Sequence, residues 1–106
     1  MRIEVLWWEG CPSTTSAVEQ LRAALAEVGL DPDAVELREV TSDEEAVRER
    51  FAGSPTIRVD DDDLFPTGAD DPVGLSCRLY RRRDGRPSPT PDPDDLREAL
   101  TRRMTA

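Results

Sequence analysis

Residues Ile3 to Trp8 form a nearly continuous apolar run, interrupted only by Glu4 and closed by Glu9-Gly10. The run falls far short of the ~20 apolar residues needed to cross a bilayer. It reads instead as a central strand covered on both faces, and such a strand requires helices above and below it. The next apolar residues, Ala17, Val18, Leu21, Ala24, Leu25 and Val28, recur three and four apart, with Glu19, Gln20, Arg22 and Glu27 opposite them. That spacing predicts an amphipathic helix stopped by Gly29. A strand passing directly into a helix, in a chain of 106 residues, points to one α/β layer structure with a single core, a single domain over 1–106.

The remainder extends the pattern. Val35 to Val40 alternates as a half-buried strand, with Val35 and Leu37 set against Glu36 and Arg38. Ser42 followed three residues later by Glu45 reads as a capping box, opening a short helix through Ala46, Val47, Arg50 and Phe51 to Gly53. Thr56 to Val59 is a third strand, and Cys77 to Arg81 is expected as a fourth, antiparallel to it. Asp60 to Ser76 is left as a long loop, and the proline-rich stretch from Arg86 to Pro93 as a stiff connector. Asp92 as N-cap and Pro93 at the first helical position open a closing helix with Leu96, Ala99, Leu100 and Met104 on its inner face. The expected architecture is βαβαββα, a mixed four-stranded sheet with helices on both faces.

The formal net charge is -9, the wrong sign for a nucleic-acid or anionic-membrane partner, both of which require a basic footprint. A small-molecule thiol or a protein disulfide fits this charge better. The chain has no histidine, which excludes histidine acid–base catalysis and histidine metal ligands. Two cysteines are too few for a structural zinc or iron–sulfur centre or for a secreted disulfide scaffold. Without a leader-like N-terminus the expected compartment is the cytoplasm, with no bound cofactor.

Cys11 lies between the first strand and the first helix, in Trp8-Glu9-Gly10-Cys11-Pro12-Ser13-Thr14. A helix N-terminus offers partial positive charge and free N–H donors, which stabilise a thiolate. Pro12 suits a first helical turn, and the hydroxyls of Ser13 and Thr14 are placed to donate to the sulfur. A second motif, Ser54-Pro55-Thr56, puts a proline directly before the third strand. With both motifs in register, the chain resembles the thioredoxin-like superfamily, and in particular its small actinobacterial members. The resemblance implies a thioredoxin-like fold, a cis Ser54–Pro55 bond beside Cys11, and a Ser54 backbone free to pair with an extended substrate. Dithiol members carry Cys-x-x-Cys, whereas this chain has Thr14 at the second position, so the motif resembles monothiol types.

Two functions follow as expectations. In the first, Cys11 attacks mixed disulfides as the single catalytic thiol of a thiol–disulfide oxidoreductase, with Pro12, Ser13, Thr14, Ser54, Pro55, Thr56 and Trp8 lining the substrate site. In the second, the same groove is a non-catalytic binding module for a partner protein, a thiol cofactor or a soft metal. Trp7 and Trp8 point to opposite strand faces and read as core, with Trp8 also able to rim the site. Cys77, at the start of the expected fourth strand, falls roughly 16 Å from Cys11, beyond the ~7 Å between Cα atoms that a disulfide tolerates. The same topology brings Arg81, Arg82 and Arg83 toward Cys11, either to draw in an anionic substrate or as a solvated edge. Asp60 to Asp63 lacks the glycine and glutamate of a calcium loop and reads as a solvated turn.

Overall fold

The computed structural model describes residues 1–68 and 71–105. Its elements are β1 (Ile3–Trp7), α1 (Thr14–Glu27), β2 (Val35–Glu39), α2 (Asp43–Arg48), β3 (Thr56–Val59), β4 (Asp62–Asp63), β5 (Tyr80–Arg81), β6 (Pro87–Ser88) and α3 (Pro93–Thr105). The main sheet has the order β2-β1-β3-β4. β1 pairs parallel with β2 and antiparallel with β3, and β3 pairs antiparallel with β4. Among the described residues, no helix is long and apolar enough to cross a membrane.

The alternation of β1 and β3 divides the core. Ile3, Val5, Ile57 and Val59 face one way and pack against Val18, Leu21 and Leu25 of α1 and Leu96, Ala99 and Leu100 of α3. Leu6 faces the other way, toward Ala46 of α2, Val40 and Phe51. The mixed sheet with helices on both faces is therefore as expected. α2 covers its face thinly, and polar side chains complete that layer: buried Arg58 donates to Glu49 Oε1 at 3.3 Å, and Arg38 pairs with the same carboxylate at 2.9 Å.

Local signals set several boundaries. The Ser42 hydroxyl accepts from the Glu45 N–H at 3.1 Å, and the Glu45 carboxylate reaches back to the Thr41 N–H at 3.2 Å. Asp92 caps α3 by accepting from the Asp94 N–H at 2.9 Å. α1 stops where expected, with Gly29 at φ 84°. α2 ends earlier than Gly53, because Arg50 leaves the helical region at φ 53°. Leu37 and Met104, expected to face inward, are 55% and 41% exposed. Leu37 lies on the edge strand and Met104 in the last turn of α3, where the core has run out.

The fourth strand differs from expectation. The partner of β3 is Asp62–Asp63, reached by a tight reversal in which Asp60 and Asp61 take φ of 51° and 70°. Aspartate tolerates the left-handed region better than most residues, so the exposed acidic run turns the chain as expected, and its last two residues also pair with β3. The stretch after Cys77 is displaced from the sheet edge, and Tyr80–Arg81 pairs instead with Pro87–Ser88 in a separate two-stranded ribbon.

Candidate thiol site

The loop from Trp8 to Ser13 carries Cys11 from the end of β1 to the start of α1. The Cys11 N–H donates to the Trp8 carbonyl at 3.0 Å, closing a tight turn. A Cβ on Gly10 would lie 2.3 Å from the Trp8 ring, so the glycine allows the indole to fold over the loop. Trp8 also packs against the α2-side core. Its role is to shape the turn, and its backbone N–H donates to the Ser54 hydroxyl at 3.1 Å, tying the loop to the segment leading into β3.

Cys11 is 8% exposed, and its Sγ donates to the Ser54 carbonyl at 3.4 Å. The Ser54–Pro55 bond is cis, and both residues are buried. Cys11 thus lies against Ser54, two residues before β3. α1 begins at Thr14 with Ser13 as N-cap, so Cys11 and the exposed Pro12 precede the helix rather than occupy its first turn. What the helix start contributes is local donors. Burial pushes the Cys11 thiol up, but the Ser54 hydroxyl, the Ser13 backbone N–H, the Thr14 hydroxyl and the Cys77 thiol outweigh it and hold Cys11 below the ordinary thiol range. Among the described residues, the buried Thr14 Oγ1 has no hydrogen-bond partner. Thr56 is committed elsewhere, its hydroxyl donating to the Gly53 carbonyl at 2.6 Å and accepting from Arg78 at 3.3 Å.

Two expectations fail here for one physical reason, which is the path of residues 76–80, a strap laid along Ser54, and of the two readings of Arg81, Arg82 and Arg83 the solvated edge is the one that fits. The Ser54 backbone is not free: its N–H donates to the Ser76 carbonyl and its carbonyl accepts from the Arg78 N–H, both at 2.8 Å. Ser54 and Cys77 therefore form an isolated parallel bridge. Cys77, expected at the far end of the sheet, stands beside Ser54 and exchanges a hydrogen-bonding and charge interaction with Cys11. Burial, the Cys11 charge and the hydrogen bond to Cys11 push the Cys77 thiol up. Arg81, Arg82 and Arg83 turn into the ribbon: Arg81 binds the Gly85 carbonyl at 2.7 Å, the Arg82 N–H donates to the Arg86 carbonyl, and Arg83 pairs with Asp95 at 2.7 Å and with Glu98. None of the three forms an anion trap at the thiol.

The strap is held by residues that the sequence reading passed over. Arg78, with its side chain 6% exposed, donates to Asp63 at 2.7 Å, to Thr56 and to the Phe65 carbonyl, and lies 4.6 Å over the Tyr80 ring. The Tyr80 hydroxyl donates to the Pro55 carbonyl. Gly53, at φ 120°, lets the strap close in, since a Cβ there would fall 2.9 Å from the Arg78 nitrogen. The available signal was the alternation of Arg78 and Tyr80, which puts both on one side of the strap. A groove of about 600 Å³ has Cys77 and Tyr80 among its lining residues, while Cys11 does not line it. Comparison of the chain with protein-family models, with curated proteins and with solved structures finds no match.

Proposed function

We propose that this protein is a thioredoxin-like thiol–disulfide oxidoreductase whose reactive group is the Cys11 thiolate. The observation that carries the reading is a buried free thiol, Cys11, whose Sγ lies 3.4 Å from the Ser54 carbonyl, where the loop before α1 meets the cis Ser54–Pro55 bond ahead of β3. The Ser54 and Thr14 hydroxyls and the Ser13 N–H hold that thiol below the ordinary range. A stabilised thiolate is the form that attacks a disulfide sulfur, and donors fixed by the fold stabilise it without reorganising. The β2-β1-β3-β4 order, with α2 on one face and α1 and α3 on the other, supports the thioredoxin-like assignment.

The test is the pH dependence of alkylation, read separately at each cysteine by peptide mapping. Cys11 is expected to react with a midpoint below that of a free thiol, near ~8.5, and Cys77 with a midpoint above it. In parallel, Cys11→Ser is expected to abolish thiol-dependent reduction of a glutathione mixed disulfide. An ordinary midpoint at Cys11, together with full activity of the serine variant, would refute the proposal.

A further inference from the structure

We infer that Cys77 is the resolving thiol of this site, paired with Cys11 through space across Ser54 to form a reversible intramolecular disulfide; the inference rests on the Cys11 reading above. A second cysteine is absent from the Cys11-Pro12-Ser13-Thr14 motif, but the fold provides one from the strap. Ser54 is the common neighbour. Its carbonyl accepts both from the Cys11 thiol at 3.4 Å and from the Arg78 N–H at 2.8 Å, and its N–H bonds Ser76, so the residue between those two strap contacts is brought alongside Cys11. The placement is held on several sides: by the close approach of Gly53 to Arg78, by the Arg78–Asp63 pair and by the Tyr80–Pro55 bond. Both cysteines are free thiols, one buried and one exposed on the wall of the large groove.

Their interaction also sets the order of events. Cys11 ionises first and attacks one sulfur of a substrate disulfide; a Cys11–substrate disulfide forms and the other substrate sulfur leaves as a thiolate. The Cys11 charge that held Cys77 protonated is then gone. Cys77 passes its proton to the departed thiolate and attacks the Cys11 sulfur, forming the Cys11–Cys77 disulfide and releasing the second substrate thiolate, which takes a proton from water. The substrate gains two electrons and two protons, and the cysteine pair loses them. Return to the dithiol takes two electrons from two equivalents of an external thiol. The first attacks the exposed Cys77 sulfur and expels Cys11 as the favoured thiolate. The second attacks the reductant sulfur of the Cys77 mixed disulfide, releasing Cys77 and the oxidised reductant as its disulfide, while the two cysteine sulfurs recover the protons given up by the reductant thiols.

The experiment treats the reduced full-length protein, Cys77→Ser and Cys11→Ser with glutathione disulfide, quenches with acid, alkylates, and maps the products by mass spectrometry. The wild type is expected to accumulate a Cys11–Cys77 link without a standing glutathione adduct, and Cys77→Ser to trap glutathione on Cys11. A wild type that stops at the Cys11 adduct, in the same yield as Cys77→Ser, overturns the pairing and leaves the Cys11 reading intact. A wild type that forms the link while only Cys11→Ser traps an adduct, on Cys77, upholds the pairing and overturns Cys11 as first nucleophile. Because Cys77 is exposed, its serine variant keeps the fold, which far-ultraviolet circular dichroism verifies.

Discussion

Cys11 gains its character from three neighbours that differ in cost. The Ser54 hydroxyl is already oriented by the Trp8 N–H, and the Ser13 N–H is one of the unpaired donors that every helix start leaves. Thr14 is the expensive one, since its hydroxyl is buried without a hydrogen-bond partner among the described residues. Thr14→Val is accordingly expected to stabilise the protein by about 1 kcal/mol at a pH where Cys11 is a thiol, while slowing Cys11 alkylation at neutral pH severalfold. Urea denaturation and timed alkylation of the same variant measure the two effects, and a variant that loses stability without losing reactivity would show that Thr14 has no role at the sulfur. The folded-state thiol lies below its unfolded value, so the ionised form adds stability above the ordinary thiol range, and this is lost as pH falls through the folded value.

At the scale of elements, the strap from Ser76 to Arg81 decides what the site is, although it contributes only a two-residue strand. Arg78 is its anchor. Removing one partner of a buried ion pair leaves the other uncompensated, and Asp63 retains some solvent contact, so Arg78→Ala is expected to cost roughly 3 kcal/mol, the low end for such pairs. The same substitution releases the Thr56 hydroxyl and the Phe65 carbonyl and is expected to slow formation of the Cys11–Cys77 link more than it slows alkylation of Cys11. Chemical denaturation and disulfide-formation kinetics measure the two consequences. The regular elements were legible in advance for a simple reason. α1 and α3 each bury one periodic set of apolar side chains, β1 is a short apolar run buried on both faces, and the caps at Ser42 and Asp92 are local chemistry. The strap was not legible, because its bonds are to Ser54, Asp63 and Phe65, residues 13 to 24 positions away, and carry no period.

On the scale of the molecule, the ribbon is tied to the main sheet at Pro55, whose carbonyl accepts from the single tyrosine, Tyr80. Burial pushes the Tyr80 phenol up, with the Arg78 charge opposing and the Asp63 and Cys11 charges reinforcing the shift. A folded-state pKa above the unfolded one gives stability that is complete below the unfolded value of about 10 and lost as pH rises above it. Alkaline titration is therefore expected to show phenolate absorbance appearing together with the loss of circular dichroism, whereas phenolate absorbance at intact secondary structure would contradict the burial of Tyr80. The sequence by itself determined the layered α/β plan, the strand-to-helix turn carrying Cys11, the proline at the start of β3 and the acidic balance, since each follows from nearby spacing or composition. Only the tertiary structure decided that Asp62–Asp63 would close the sheet, that residues 76–78 would occupy the Ser54 backbone, and that Cys77 would stand beside Cys11. Those outcomes depend on which of several strands wins a limited set of backbone hydrogen bonds, and that competition is settled by buried contacts distant in the chain.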